Sequence, residues 1–236
     1  MNILFPMAGQ GARFGHRFKP FLTIGDETFI EAAVRPFRRV VNEISQFVFV
    51  YLESQERDFQ VSDRLARMFS DLPIRSVRLA SPTRGPAETI ARGIEQSEST
   101  GAAFLCDCDH ELEVDGLFAR ATSDARWDAI LPVWPLAGEN LASWSVAMVE
   151  SGHVSAIAEK QRPAGGRGTP MGVIGCYGFR DIGKTVERAV SLKATNFSDV
   201  LQTMIAGDEI VEAVQIPRAR FFGDPERLAK ETRGSV

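Results

Sequence analysis

The 236-residue chain has little cysteine, no surplus of positive charge and no long apolar run. Its three cysteines, Cys106, Cys108 and Cys176, are an odd number and form no C-x-x-C pair of the kind a zinc knuckle needs. Free cysteine ordinarily behaves as a small core residue. The balance of 27 Lys+Arg against 31 Asp+Glu leaves a formal net charge of -4. The surface as a whole is therefore unsuited to nucleic acid or an anionic membrane, and any anion site has to be a local gathering of cations. Nothing approaches the ~20 apolar residues of a membrane span. Met1-Asn2-Ile3-Leu4-Phe5 also lacks the basic flank of a secretory leader. A cytoplasmic protein is the default expectation. No internal repeat, low-complexity stretch or convincing linker divides the chain, so residues 1–236 are expected to form one domain.

What is present is an ordinary α/β pattern, with 44% hydrophobic residues to build a core. Short apolar runs predict strands at 3–5, 47–52, 74–79, 102–105, 129–133, 146–149, 154–158, 173–179 and 210–216. Longer amphipathic stretches predict helices at 29–41, 54–69, 87–96, 182–190 and 197–206, with one more at the end of the chain. Pro36 must kink the first of these or start a new turn. Glu150-Ser151-Gly152-His153 reads as a hairpin turn. Strand and helix alternate in the first half, which predicts a mostly parallel central sheet with helices on both faces. The more mixed second half predicts a small antiparallel appendage after about residue 135.

Three places carry chemistry. The first is Met7-Ala8-Gly9-Gln10-Gly11-Ala12-Arg13-Phe14, directly after the first strand. Glycines there let backbone N–H groups approach a phosphate closely. Arg13, Arg17 and Lys19, with His16, add cations beside those amides, and a polyphosphate is the simplest ligand to want them. A dinucleotide fingerprint fails because position 14 is Phe, and no G-K-[S/T] supplies a Walker loop. The second is Cys106-Asp107-Cys108-Asp109 after the strand ending at Leu105. Carboxylates at the carboxyl end of a parallel strand lie where open α/β sheets bind ligands. One or both could hold Mg²⁺, which takes oxygen ligands and shares them with substrate phosphates. The third is Glu159-Lys160, whose lysine could hold a second phosphate.

Together these segments resemble the sugar-phosphate nucleotidyltransferase family. Pro6 to Phe14 with Lys19-Pro20-Phe21-Leu22 is similar to its signature loop. Arg84-Gly85-Pro86-Ala87-Glu88-Thr89 resembles its base-contacting segment, and Cys106-Asp107-Cys108-Asp109 its strand-end aspartates. Glu159-Lys160 resembles the pair near its acceptor phosphate, and Met171 to Phe179 the strand that follows. Phe222-Gly223-Asp224-Pro225-Glu226-Arg227-Leu228 is similar to its C-terminal G-T-P-E-D-L segment. The resemblance implies a Rossmann-like nucleotidyltransferase sandwich, with 1–135 the nucleotide-binding half and 136–236 the acceptor-binding half. It implies Ala8, Gly9, Gly11, Arg13, Gly85, Thr89 and Asp107 as nucleotide-binding residues, and Arg13, Lys19 and Lys160 as the catalytic cations. Asp109 is the implied Mg²⁺ ligand. Many members carry a second metal aspartate just before the C-terminal glycine, where this chain has Phe221 and Phe222. Asp224 is the nearby substitute.

The implied reaction is transfer of a nucleotidyl group from a nucleoside triphosphate to a phosphorylated small molecule, with a sugar 1-phosphate the leading acceptor. A cytidylyltransferase for a phosphorylated amino alcohol or amino acid is the alternative, because the loop around Gly165-Gly166-Arg167-Gly168 is atypical. Convergence of Trp127, Trp134 and Trp144 on the acceptor site would favour a quaternary ammonium. A non-catalytic nucleotide-binding module and a glycosyltransferase are the other readings. A monomer or a homodimer would be compatible with the sequence.

Overall fold

The computed structural model describes residues 1–233. In chain order the first half comprises β1 (Asn2–Pro6), β2 (Thr23–Ile24), β3 (Glu27–Thr28), α1 (Phe29–Val34), β4 (Gln46–Leu52), α2 (Glu53–Phe59), α3 (Val61–Met68), β5 (Ile74–Leu79), α4 (Pro86–Ser97), β6 (Ala103–Cys106), β7 (His110–Leu112), α5 (Asp115–Ala121) and β8 (Ala129–Pro135). The second half comprises β9 (Ser145–Glu150), β10 (His153–Glu159), β11 (Thr169–Val173), β12 (Cys176–Phe179), α6 (Ile182–Ser191), α7 (Phe197–Ala206), β13 (Val211–Gln215), β14 (Ala219–Phe221) and α8 (Pro225–Arg233).

Ten strands form one sheet in the order β11-β9-β10-β13-β8-β12-β6-β1-β4-β5. Seven of them run one way, and β10, β11 and β12 oppose them. The antiparallel strands expected after residue 135 are β9, β10 and β11, and they continue the main sheet. Because β11 pairs with β8 as well as β9, that edge curls back on itself.

Alternation along the strands explains why helices cover both faces. Phe47, Phe49 and Tyr51 of β4 point into one core with Val61 and Leu65 of α3 and Leu117 and Phe118 of α5. Val48, Val50 and Leu52 point into the other, against Ile90 and Ile94 of α4 and Val200 and Leu201 of α7. A buried side chain of this kind stabilises by roughly 1.5–3 kcal/mol, so a strand buried on both faces is read as a continuous apolar run.

Three elements differ from the sequence expectation. The 54–69 helix breaks at Gln60, whose φ of 51° is left-handed; the Glu56 carboxylate accepts from Ser62 N at 2.9 Å and helps to start α3. The 29–41 helix ends at Val34 and continues as a 3-10 segment from Arg35 to Glu43, because Pro36 has no N–H to give. The 173–179 strand is two strands. Residues up to Val173 pair with β8 and β9, whereas Cys176 onward pairs with β6 and β8. Changing partners at Ile174-Gly175 frees the Gly175 carbonyl, which accepts from Asp107 N at 2.7 Å. Short β7, β14 and α5 have too little periodicity to be foreseen. The hairpin at 150–153 forms as expected, with Ser151 and Gly152 both at positive φ.

The start of α4 holds a local charge network. The Glu88 carboxylate accepts from Arg84 Nε at 2.8 Å and from Arg92 Nη2 at 2.6 Å. The Arg84 side chain, then its backbone N–H, push the Glu88 carboxyl down to about 2. A depressed folded value means stability present above the unfolded value of ~4.3 and lost as pH falls toward 2. Glu88→Gln should lower Tm at pH 7 by about 2–4 °C at most, the effect of a surface pair. In melts at pH 7, 4 and 3 that difference should shrink steadily; a constant difference would show that the charge is not its cause.

Candidate active site

The loop after β1 is fixed by backbone geometry before any side chain acts. Gly11 and Gly15 are left-handed, with φ of 63° and 66°, and bracket a 3-10 turn over Ala12–Phe14. A Cβ at Gly11 would lie 2.1 Å from the Arg17 carbonyl oxygen. Gln55 Nε2 ties the loop down by donating to the Gly9 carbonyl at 3.0 Å. Phe14 is buried and packs edge-on against Phe29. Its neighbour Arg13 is consequently held outward, exposed and without an ion pair among the described residues. Arg17 turns back instead, donating from Nε to the Phe14 carbonyl at 3.2 Å. Gly11→Ala should therefore cost more than the ~1 kcal/mol of an ordinary backbone substitution. On the sequence expectation that this loop holds a triphosphate, its affinity measured by calorimetry should fall at least about tenfold, since the amides are displaced with the turn.

Past the end of β6 the chain bends, and both Asp107 and Asp109 face one cavity of about 500 Å³. Each carboxylate sits over a glycine: a Cβ at Gly175 would come within 2.2 Å of Asp107 Oδ2, and one at Gly223 within 2.4 Å of Asp109 Oδ2. Lys19 Nζ donates to Asp109 Oδ2, and His110 Nδ1 stands 3.5 Å from Asp109 Oδ1. The β7–β14 pairing sets Phe221 opposite His110, and the Phe222 N–H donates to the Asp109 carbonyl at 3.0 Å. The C-terminal segment is thereby closed over the aspartates.

Gly9, Gly11, Arg13, Lys19, Asp107, Asp109, Lys160 and Asp224 line this one cavity. Nucleotide-loop cations and the strand-end carboxylates thus share a space with the lysine proposed for a second phosphate. Residues 4–162 match the sequence pattern of one protein family. The chain belongs to the MobA-like NTP transferase domain family.

Several solved structures share the fold. A nucleoside-diphosphate-sugar pyrophosphorylase from Vibrio cholerae RC9 superposes with a TM-score of 0.79 at 21% identity, covering 98% of this chain and 99% of that one. An inositol-1-phosphate CTP transferase from T. maritima gives 0.75 at 15%, with 99% and 96% covered. A UTP-bound UGPase from Acinetobacter baumannii gives 0.75 at 16%, with 99% and 92% covered. Among curated protein sequences none matches. The chain is a nucleotidyltransferase with a Rossmann-like sandwich fold. Among the described residues no helix is long and apolar enough to cross a membrane.

The electrostatics of the cavity follow from burial. Burial alone would raise the Asp109 carboxyl, but the Lys19 ammonium and His110 outweigh it and hold it well below the usual range. Burial would likewise lower Lys19, and the opposing charge of Asp109 raises it instead. Asp107 is pushed up to about 6 by burial and then by the negative charge of Asp109. The donors facing the cavity are carboxylate oxygens, which suit a hard cation such as Mg²⁺. Among the described residues no three His, Cys, Asp or Glu side chains gather as a metal cluster. A one- or two-carboxylate site completed by substrate phosphates is the form Mg²⁺ commonly takes, and these residues fit it.

Ala8, Gly85 and Thr89 do not line the cavity. Ala8 is buried, and Pro86, between Gly85 and Thr89, does line it. A Cβ at Gly85 would meet Thr195 at 2.6 Å, and the buried Thr89 hydroxyl donates to the Gly85 carbonyl at 3.1 Å. Both thus hold the α4 entrance in shape. The Asp224 carboxylate caps α8 by accepting from Arg227 N at 2.9 Å. Phe222 is fully buried against Phe29, so no carboxylate stands at that position. Trp134 and Trp144 converge on Phe221, at 5.6 and 5.1 Å between rings, whereas the buried Trp127 packs elsewhere against Arg180. Sequence reading missed Tyr177, Asn196, Phe221 and Arg227 as lining residues. Only Arg227 had a usable signal, as the basic residue inside the C-terminal motif.

Proposed function

We propose that the chain transfers the nucleotidyl group of a nucleoside triphosphate to the phosphate of a small-molecule acceptor, a sugar 1-phosphate in the leading case, and releases pyrophosphate. The observation that carries this reading is one cavity lined by the cations Arg13, Lys19 and Lys160 together with Asp107 and Asp109. An acceptor phosphate oxygen attacks the α-phosphorus, a new P–O bond forms, and the bond to the β-phosphate oxygen breaks. Pyrophosphate leaves with that electron pair. The nucleophile is already an anion, so no side chain has to take a proton. The work is gathering anions and stabilising the charge that develops between them.

Arg13 and the loop amides hold the triphosphate, and Arg13 balances charge growing on the leaving group. Lys19 sets the position of the Asp109 carboxylate. Asp109, with Asp107 beside it, would hold Mg²⁺, which when bound supplies Lewis-acid stabilisation of phosphate oxygens. Lys160 orients the acceptor phosphate. One observation favours a sugar phosphate over a quaternary ammonium acceptor. Trp144 and Phe221 already carry a cation of the protein's own, the Arg227 guanidinium at 4.8 and 5.6 Å from the ring centroids.

Pyrophosphate release with Mg²⁺ tests the reading directly. CTP, UTP, GTP, dTTP and ATP should be crossed with hexose 1-phosphates, phosphocholine, phosphoethanolamine and phosphorylated amino acids. Release is expected with one triphosphate and a hexose 1-phosphate. Tight triphosphate binding with no release from any pair would point to a binding module and overturn it.

A further inference from the structure

The acceptor wall holds a cation that the mechanism above does not use. We propose that Arg227 is an anion-binding residue of this subsite, and that with Lys160 it holds the acceptor's phosphate beside the Trp144 indole. The proposal rests on the nucleotidyl-transfer reading for the identity of the acceptor, but its central claim concerns binding alone.

Trp144 is the common anchor. Its carbonyl accepts from Lys160 N at 2.9 Å, so the backbone at Lys160 is fixed beside the indole. Its ring carries the Arg227 guanidinium at 4.8 Å, with Phe221 supporting the same group at 5.6 Å. Trp144, Lys160 and Arg227 all line the cavity. The segment reaching Arg227 also passes the aspartate centre, since Gly223 abuts Asp109 and Asp224 caps the turn that carries Arg227. A guanidinium held over aromatic rings keeps its planar fork free at the edge, where it matches two oxygens of one phosphate.

The present partners of Arg227 are long. Nη2 donates to Glu139 Oε2 at 3.3 Å, and Nε is 3.6 Å from Asp224 Oδ2. Nη1 has no hydrogen-bond partner among the described residues. Glu139 Oε2 is shared, since it also accepts from Trp144 Nε1 at 3.2 Å. Glu139 thus competes with an anion for Arg227. An incoming phosphate would take the fork from it and gain shorter, charge-assisted bonds.

Intrinsic tryptophan fluorescence gives a readout independent of turnover, because the indole of Trp144 lies under the reporting guanidinium. Titration with inorganic phosphate should change emission in the wild type and should not do so in Trp144→Phe. Arg227→Gln should raise the half-saturating phosphate concentration by about tenfold or more, the scale of one charged hydrogen-bonding group. Its triphosphate affinity by calorimetry should change less than about twofold. Glu139→Gln should move the other way and tighten phosphate, which loss of a merely structural contact would not do. Arg227→Lys, which keeps the charge and loses the fork, should fall between and serves if Arg227→Gln melts early.

Unchanged phosphate half-saturation in both Arg227 variants would overturn the proposal, as would equal loss of phosphate and triphosphate binding, or a wild type blind to phosphate. The two readings fail separately. A wild type that binds phosphate through Arg227 but never releases pyrophosphate would sink nucleotidyl transfer alone. An active wild type whose acceptor KM survives Arg227→Gln would sink only the role of Arg227.

Discussion

Asp109→Asn should cost at least about a hundredfold in kcat/KM for pyrophosphate release, the lower range for losing one well-placed electrostatic stabiliser. The substitution keeps the side-chain shape over Gly223 and removes only the charge. That charge is what Lys19 and His110 hold ionised against burial. Without it the Lys19 ammonium loses its partner, and the proposed Mg²⁺ would lose one of its two carboxylates. A second consequence follows from the depressed Asp109 carboxyl. A group whose folded value lies below its unfolded value of ~3.9 contributes stability above that pH and loses it as pH falls. Asp109→Asn should therefore melt earlier than wild type at pH 7, and the difference should narrow below about pH 4. Circular dichroism must show a folded variant before the rate is read. Near-normal turnover by a folded Asp109→Asn would remove Asp109 from the machinery.

Arg13→Ala should lose activity on a similar or larger scale, about a hundredfold at least, given roughly 10³–10⁵ for catalytic arginines in phosphoryl transfer. Here stability should not move. Arg13 is exposed, and it has no ion pair among the described residues to break. The turn that carries it is set by Gly11, Gly15 and the buried Phe14. The contrast separates the two residues: one acts through a buried charge pair, the other only when a ligand is present. If Arg13→Ala lowered Tm by several degrees while leaving turnover intact, its placement as the triphosphate cation would be wrong. Arg13→Lys should recover part of the rate, because charge returns without the bidentate fork.

Much of the centre was legible because its determinants are short in sequence. The loop from Gly9 to Lys19 carries its own turn chemistry, and Asp107 and Asp109 follow directly on an apolar strand. Both patterns survive folding with their neighbours intact. Gly85 and Thr89 match a nucleotide-contacting segment by spacing, and the fold adds a local role: Gly85 lies against Thr195, and the Thr89 hydroxyl donates to the Gly85 carbonyl. Asp224 is similar, since a residue before Pro-Glu is well placed to cap a helix whatever else it does.

By itself the sequence determined the two-faced strands, the helices that cover them and the glycine loop with its outward arginine, since side-chain alternation and backbone conformation are local properties. Only the tertiary structure decided that residues 173–179 split between two sets of partners. It also decided that Gly175 and Gly223 seat the two aspartates, and that Trp144, Phe221 and Arg227 form one wall. Those contacts join positions tens of residues apart in chain. Their physical cause is the β7–β14 pairing and the strand exchange at Gly175, and no local period in the sequence encodes either.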